Sequence, residues 1–375
     1  MKSNQANDKT SLPRNDSSRG LKYMPQLDGL RAIAVLMVMA EHWTSYSHRL
    51  YIHWGAYGVQ LFFVLSGYLI TGILLNCRDT KHSRLQELRI FYIRRFLRIF
   101  PIFYLTLGVT FIIGFSAVRE TFWWHFFYLS NLFLGLRTDV WGYVNHLWSL
   151  SVEEQFYLIW PWLMLFVSPQ RLKRAIVLAF MLAPLCKIIL WLFESPVVCF
   201  HVLPIASFDG LGFGSLLAYL KYRSRISGAP MPHRSLNSAA LLGLASCIAL
   251  ERIARKGTVA PLNIFGNTML ALPLGWIVFR SAEGFPKPFA HLLDNKIAIY
   301  LGKISYGLYL MHPFVSYGFK LIELEVNVPQ VHIPQLSQPH FRIPILFSAT
   351  VLLASLSWFF LEKPINRLKR CFPYR

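Results

Sequence analysis

An all-α integral membrane protein is the fold class this sequence predicts, a polytopic bundle of about ten transmembrane helices with eleven as the alternative, and three observations predict it. Of its 375 residues 54% are hydrophobic, 15% aromatic and only 15% charged, the proportions of a chain that sits in lipid. The apolar residues gather into runs of about 20, the length a helix needs to cross a bilayer core. The formal charge of +20 is carried mostly by short segments between those runs. Positive-inside topology accounts for it there, so the charge implies no nucleic-acid partner. The five cysteines, Cys77, Cys186, Cys199, Cys247 and Cys371, have neither metal-ligand nor redox spacing.

The first span, 27–43, reads LDGLRAIAVLMVMAEHW and carries Asp28, Arg31, Glu41 and His42. A charge near the bilayer centre costs roughly 2.5 to 3.5 kcal/mol on insertion scales, so such a group needs a partner, a polar cavity or a task. Arg31 and His42 are about three helical turns apart, roughly 16 Å along the axis, and eleven steps of 100° return them to nearly the same face. The span is therefore expected to point a cation and an imidazole into one cavity. Residues 1–22 are polar and basic, without a short apolar run and a cleavage site, and read as a cytoplasmic tail rather than a secretory signal.

A short aromatic loop, 44–56, leads to the second span, 57–76. Its Ser66-Gly67 pair suits close approach of another helix, with Ser66 also a candidate polar lining. Segment 77–98 is the most basic of the chain, with Arg78, Lys81, Arg84, Arg89, Arg94, Arg95 and Arg98 against Asp79 and Glu87, and reads as a cytoplasmic loop. The third span follows at 97–115, with Pro101 in a first turn that tolerates it. Segment 122–136 is short for a crossing, rich in aromatics and contains His125, which predicts a short re-entrant or interfacial segment. If it does not cross, the spans at 146–167, 174–193, 201–220, 237–251, 261–280, 297–321 and 342–361 fall into register with the loop charges. Lys221, Arg223, Arg225, Lys369 and Arg370 then lie inside, both termini are cytoplasmic, and only Arg252, Arg255 and Lys256 fall outside against the rule. The proline-containing stretches 226–236 and 323–341 read as loops. There is no internal repeat and no sizeable soluble domain, so the chain divides into the tail 1–22, one membrane domain, 23–364, and a basic cytoplasmic tail, 365–375.

Arg94, Arg95 and Arg98 stand at helical spacing where the third span begins, Arg94 and Arg98 on one face. Guanidinium groups bind phosphate oxygens in bidentate fashion, so the cluster suits a polyphosphate ligand, with membrane anchoring as the plainer alternative. In HLWSLSVEEQFYLIWPW, from residue 146, adjacent Glu153 and Glu154 lie 100° apart on a helix, so at most one is expected to face a cavity readily. Either could neutralise the arginines, the reading slightly favoured, or orient the His42 imidazole as carboxylates do in acyl-transfer triads. Near the end, Ser305, Tyr306, Tyr309 and His312 add polar groups to a late span, His312 reading as a group satisfied within the bundle rather than a second base, and Glu362 as interfacial. Zinc-binding and nucleotide-hydrolysing motifs are absent, and no metal is expected.

Taken together, Arg31 with His42 after ten residues, FFVLSGYLI at 62–70, IRRFLRIFPIFY at 93–104, HLWSLSVEEQFYLIWP at 146–161, ISYGLYLMHP at 304–313 and LEKP at 361–364 resemble the acyltransferase 3 family of integral membrane O-acyltransferases. The resemblance implies that an acyl group, most simply acetyl, is taken from cytoplasmic acyl-CoA as co-substrate, with no bound cofactor. It is placed on a hydroxyl of a carbohydrate or glycolipid acceptor such as O-antigen, exopolysaccharide or lipo-oligosaccharide. It also implies the bacterial inner membrane. Many members continue into an SGNH-type hydrolase domain; the chain stops soon after LEKP and is expected to act without one. On this reading Arg31, Arg94, Arg95 and Arg98 hold the donor phosphates. His42 is the general base, with Glu153 and Glu154 beside it in the catalytic set; an acyl-histidine is equally compatible with these residues. A transporter or flippase of a lipid-linked glycan is the runner-up, since a polar lining within a bundle is expected there too. A non-catalytic scaffold would leave Arg31 and His42 without a purpose.

Overall fold

The computed structural model describes residues 23–44, 53–80, 82–137, 142, 144–326 and 338–374, and among them the chain is helical with no strands. The order is α1 Pro25–Trp43, α2 Trp54–Cys77, α3 Arg84–Ile112, α4 Ser116–Phe126, α5 Ser130–Leu136, α6 Leu147–Phe166, α7 Pro169–Leu192, α8 Cys199–Val202, α9 Phe208–Ser227, α10 His233–Arg255, α11 Ala260–Glu283, α12 Phe289–Asp294, α13 Lys296–Lys303, α14 Ser305–Val326, α15 Pro339–Ser357 and α16 Lys363–Arg367. Among the described residues, six stretches are long and apolar enough to cross a membrane: α2, α3, α7, α10, α11 and the run Pro339–Cys371 that α15 opens. The other expected spans fall on α1, α6, α9 and the interrupted pair α13 and α14, which carry polar groups inside the bundle. The tail 1–22 and most of the 44–56 and 323–341 loops lie outside the described residues.

α2 is the central helix, packed on α1, α6, α9 and α11. Gly67 and Gly214 let α2 and α9 touch backbone to backbone: a Cβ on Gly67 would stand 2.0 Å from the Leu211 carbonyl oxygen, and one on Gly214 2.1 Å from that of Val64. The packing role expected of the Ser66-Gly67 pair thus belongs to Gly67. Val35, Phe103 and Leu308 centre one apolar core; Leu74, Phe91 and Trp160 a second; Leu27, Val64 and Phe213 a third. Between α7 and α9, Lys187 Nζ donates to Asp209 Oδ2 at 2.6 Å, both side chains being wholly buried. The other oxygen, Asp209 Oδ1, accepts from Gln60 Nε2 at 3.2 Å and from the Gly210 amide at 2.8 Å.

Three local expectations change. The basic loop is much shorter than 77–98, because Ser83 and Gln86 form a reciprocal capping box that starts α3 at Arg84. Arg89, Arg94, Arg95 and Arg98 are consequently helical, and Pro101 lies inside α3 rather than in its first turn. Segment 122–136 is not one element: α4 and α5, of 11 and 7 residues, are separated by a turn in which Tyr128 adopts a φ of 54°. After α15 a π-helical turn, Trp358–Glu362, rotates Glu362 into the protein, where it is 5% exposed rather than interfacial.

Candidate active site

A cavity of about 200 Å³ lies among α1, α2, α3, α6 and the start of α14. α2 lines it with a helical stripe that includes Phe62, Ser66 and Leu69, and α6 with Ser149, Glu153 and Tyr157 at intervals of four, flanked by Leu150 and Glu154. This face is wide enough that both glutamates reach the cavity, not one. α3 contributes Arg95 and Arg98, α1 contributes Arg31, and α14 contributes Ser305, Tyr306 and Tyr309.

The charges are unequally satisfied. Arg31 donates to Asp28 at 2.6 Å, one turn back on α1. Glu153 Oε1 accepts from the Ser66 hydroxyl at 2.5 Å, and that hydroxyl accepts from Tyr157 at 3.0 Å. Arg95 lies over the rings of Tyr157 and Phe91, 5.4 and 5.6 Å from their centroids. Among the described residues, neither Arg95 nor Arg98 makes a hydrogen bond or an ion pair, and Glu154 makes none either. The cavity therefore presents two unsatisfied guanidinium groups to whatever enters it, an arrangement suited to a polyanion.

Arg94 is used differently. It points away from the cavity and donates to the carbonyls of Lys369 and Phe372, both at 2.8 Å, with its guanidinium 4.6 Å above the Tyr374 ring. Burial there pushes the Tyr374 hydroxyl up to about 12. Helical spacing placed Arg94 with Arg98; the cavity takes the Arg95 and Arg98 pair instead. Arg78, one of the basic residues before α3, caps the end of α6 by donating to the carbonyls of Met164 and Val167 at 2.6 and 2.9 Å. Glu362 accepts from Ser357 at 3.0 Å and does not line the cavity.

At the far end of α1, His42 is exposed and does not line the cavity either, so Arg31 and His42 do not share it. Its Nδ1 is 2.6 Å from His312 Nε2. The residue bonded to His42 is thus a second histidine, not Glu153 or Glu154, which stay at the arginine end. Tyr309 connects the two regions. Its hydroxyl lies 2.5 Å from that of Ser149 at the cavity wall, and its ring is 5.8 Å from that of His312. Trp43 Nε1 donates to Ser316 at 2.7 Å, fastening this end of α1 to α14.

Ser149 and Tyr157 were missed as lining residues by sequence reasoning, whereas Tyr306 lines the cavity with its neighbours Ser305 and Tyr309. The four-residue stripe of Ser149, Glu153 and Tyr157 on α6 is a signal that could have found both.

A family model described as "Acyltransferase domain" (Acyl_transf_3) matches residues 24–359. The peptidoglycan O-acetyltransferase OatA of Listeria monocytogenes is 31% identical over 92% of this chain and 56% of its own length. A putative peptidoglycan O-acetyltransferase of Bacillus subtilis, YrhL, is 30% identical over 92% of this chain and 55% of its own. A putative O-acetyltransferase of Staphylococcus aureus is 27% identical over 92% of this chain and 58% of its own. The chain thus spans little more than half the length of these relatives. No solved structure matches.

Proposed function

The chain belongs to the acyltransferase 3 family, and from that premise we propose that it is a membrane O-acetyltransferase taking its acyl group from acetyl-CoA and placing it on a carbohydrate hydroxyl. The observation that carries this reading is the division of α1: Arg31 opens on the cavity with unpaired Arg95 and Arg98, whereas His42 stands exposed at the other end. The nucleotide phosphates of the donor suit the arginines, and the thioester arm follows the cavity past Ser66 and Glu153 toward Tyr309. An acceptor meets the acyl group from the His42 side. There His42 removes the hydroxyl proton as the oxygen attacks the thioester carbonyl, and the tetrahedral adduct collapses to the ester with CoA leaving as its thiolate. Glu153 and Glu154 offset the arginine charge and leave the donor end less cationic than the arginines alone would make it.

We place the arginine end in the cytoplasm of a bacterial inner membrane, where acyl-CoA is made, with about ten crossings and both termini on that side. The two peptidoglycan O-acetyltransferase names make peptidoglycan the first acceptor to try, beside the lipo-oligosaccharide and exopolysaccharide that the family resemblance implies. The named relatives lend no support to a transporter.

The test is CoA release from acetyl-CoA by purified protein in lipid nanodiscs, with each acceptor in turn. His42→Ala is expected to lose about 100 to 10,000-fold in rate while still binding acetyl-CoA. Near-normal transfer per molecule of that variant, or no CoA release by the unaltered protein with any acceptor, would overturn the reading.

A further inference from the structure

A general-base histidine has to present a lone pair on the nitrogen that meets the hydroxyl, and a free neutral imidazole divides between two tautomers. In this chain the choice is made by a second histidine, and the reason begins with a proline. Pro313 has no N–H, so the Tyr309 carbonyl, four residues earlier on α14, lacks its helical donor. His312 Nδ1 takes that donor's place, 2.8 Å from the Tyr309 oxygen and 3.2 Å from that of Leu308. Carbonyl oxygens only accept, so Nδ1 of His312 carries the hydrogen, and Nε2 of the neutral ring is an acceptor. Among the described residues, the one group on that acceptor is His42 Nδ1, at 2.6 Å, with the two rings within 12° of parallel. Nδ1 of His42 must then be the protonated nitrogen, which leaves the lone pair on Nε2, a nitrogen without a partner among the described residues.

We infer that His312 is the positioning residue of the reaction: it fixes the His42 tautomer with Nε2 as the base and, by accepting from Nδ1, stabilises the imidazolium that forms when the acceptor hydroxyl gives up its proton. The task is the one a buried carboxylate performs in acyl-transfer triads, carried out here by a neutral ring. His312 is suited to it because it is wholly buried and cannot itself reach substrate. The Trp43–Ser316–His312 carbonyl chain, at 2.7 and 2.9 Å, holds the two helices in register around the pair. The inference rests on the proposed role of His42.

Two conservative variants separate positioning from packing. His312→Gln can set a side-chain oxygen where Nε2 was and still accept from His42, whereas His312→Asn can keep a donor on the Tyr309 carbonyl but offers His42 nothing. With acetyl-CoA and the accepted carbohydrate, His312→Gln is expected to stay within about tenfold of the unaltered kcat, and His312→Asn to lose on the order of 100-fold or more, both with an unchanged KM for acetyl-CoA. Equal activity of the two variants, or an advantage for Asn, would assign His312 to helix packing and overturn the inference. A measurement on the unaltered protein does not depend on either variant folding: diethyl pyrocarbonate should modify His42 and spare His312, and modification of His312 first would also overturn it. His42→Ala run in parallel keeps the two levels apart. If that variant is inactive while Gln and Asn are equal, only the positioning role fails; if it is active, the role of His42 fails first.

Discussion

Two regions of this bundle bury charge, and they do so in opposite ways. Between α7 and α9 the Lys187 ammonium and the Asp209 carboxylate meet at 2.6 Å, wholly buried, with Gln60 and the Gly210 amide filling the remaining acceptor sites. No cavity residue is involved, and every charge has its complement within the chain. Around the cavity, by contrast, Arg95, Arg98 and Glu154 are held by α3 and α6 with no hydrogen bond to any described residue. Burying a charge is costly in both places. Where the chain supplies the partner, the charge is part of the fold; where it withholds the partner and leaves a void, the charge is available to a ligand.

The largest effect that would test this contrast is in the closed pair. Asp209→Ala leaves the Lys187 ammonium buried without a counter-charge, and removal of one partner of a buried pair costs about 3 to 5 kcal/mol. Thermal unfolding in detergent should fall markedly, and the double variant Lys187→Met, Asp209→Leu should recover most of the loss. A single variant as stable as the unaltered protein would show that this pair, too, is not needed by the fold.

The cavity should respond in the other currency, binding rather than stability. On the proposed function, Arg95→Ala or Arg98→Ala takes away a charge-assisted contact to the donor phosphates, worth roughly 1.5 to 3 kcal/mol, so acetyl-CoA affinity should fall by about 10 to 150-fold. Neither change breaks a hydrogen bond or an ion pair among the described residues, and Arg95→Ala loses only the ring contacts with Tyr157 and Phe91, so the unfolding temperature should shift little. Unchanged affinity in both variants would return these arginines to anchoring; a loss of stability equal to that of Asp209→Ala would erase the distinction between the regions.

How far such a distinction is legible in sequence depends on what sets it. The membrane class and the extent of α2, α7 and α11 follow from apolar run length, and the polar groups of 27–43 stand out as charge inside such a run, both local properties. The start of α3 was equally local, in Ser83 and Gln86, but the density of arginine made the segment read as a loop. What sequence could not give is the partner of each charge. Arg94, Arg95 and Arg98 look equivalent on a helical wheel, yet Arg94 turns toward the C-terminal segment because two carbonyls, 275 and 278 residues away, wait there. His42 and His312 are 270 residues apart, and only the packing of α1 on α14 brings their rings together. Pro313 was the nearest thing to a signal, since a proline always frees a carbonyl one turn before it.

Arg94 supplies the smallest and most discriminating prediction, because it shares the chemistry of Arg95 and Arg98 but the bonding of Lys187. Its guanidinium is satisfied by the chain itself, through the carbonyls of Lys369 and Phe372 and the face of Tyr374. Arg94→Ala should therefore leave acetyl-CoA affinity within about twofold and act on the fold alone. Two hydrogen bonds at about 0.5 to 1.5 kcal/mol each set the scale, and the loss should be local, since what they hold is the short segment that follows α16. Limited tryptic digestion of the purified protein would read it directly: the chain should be trimmed at Lys369 and Arg370 faster in Arg94→Ala than in the unaltered protein or in Arg98→Ala. A fall in acetyl-CoA affinity with no change in trimming would place Arg94 with the cavity arginines, and would mean that a satisfied charge in this bundle can still belong to the ligand.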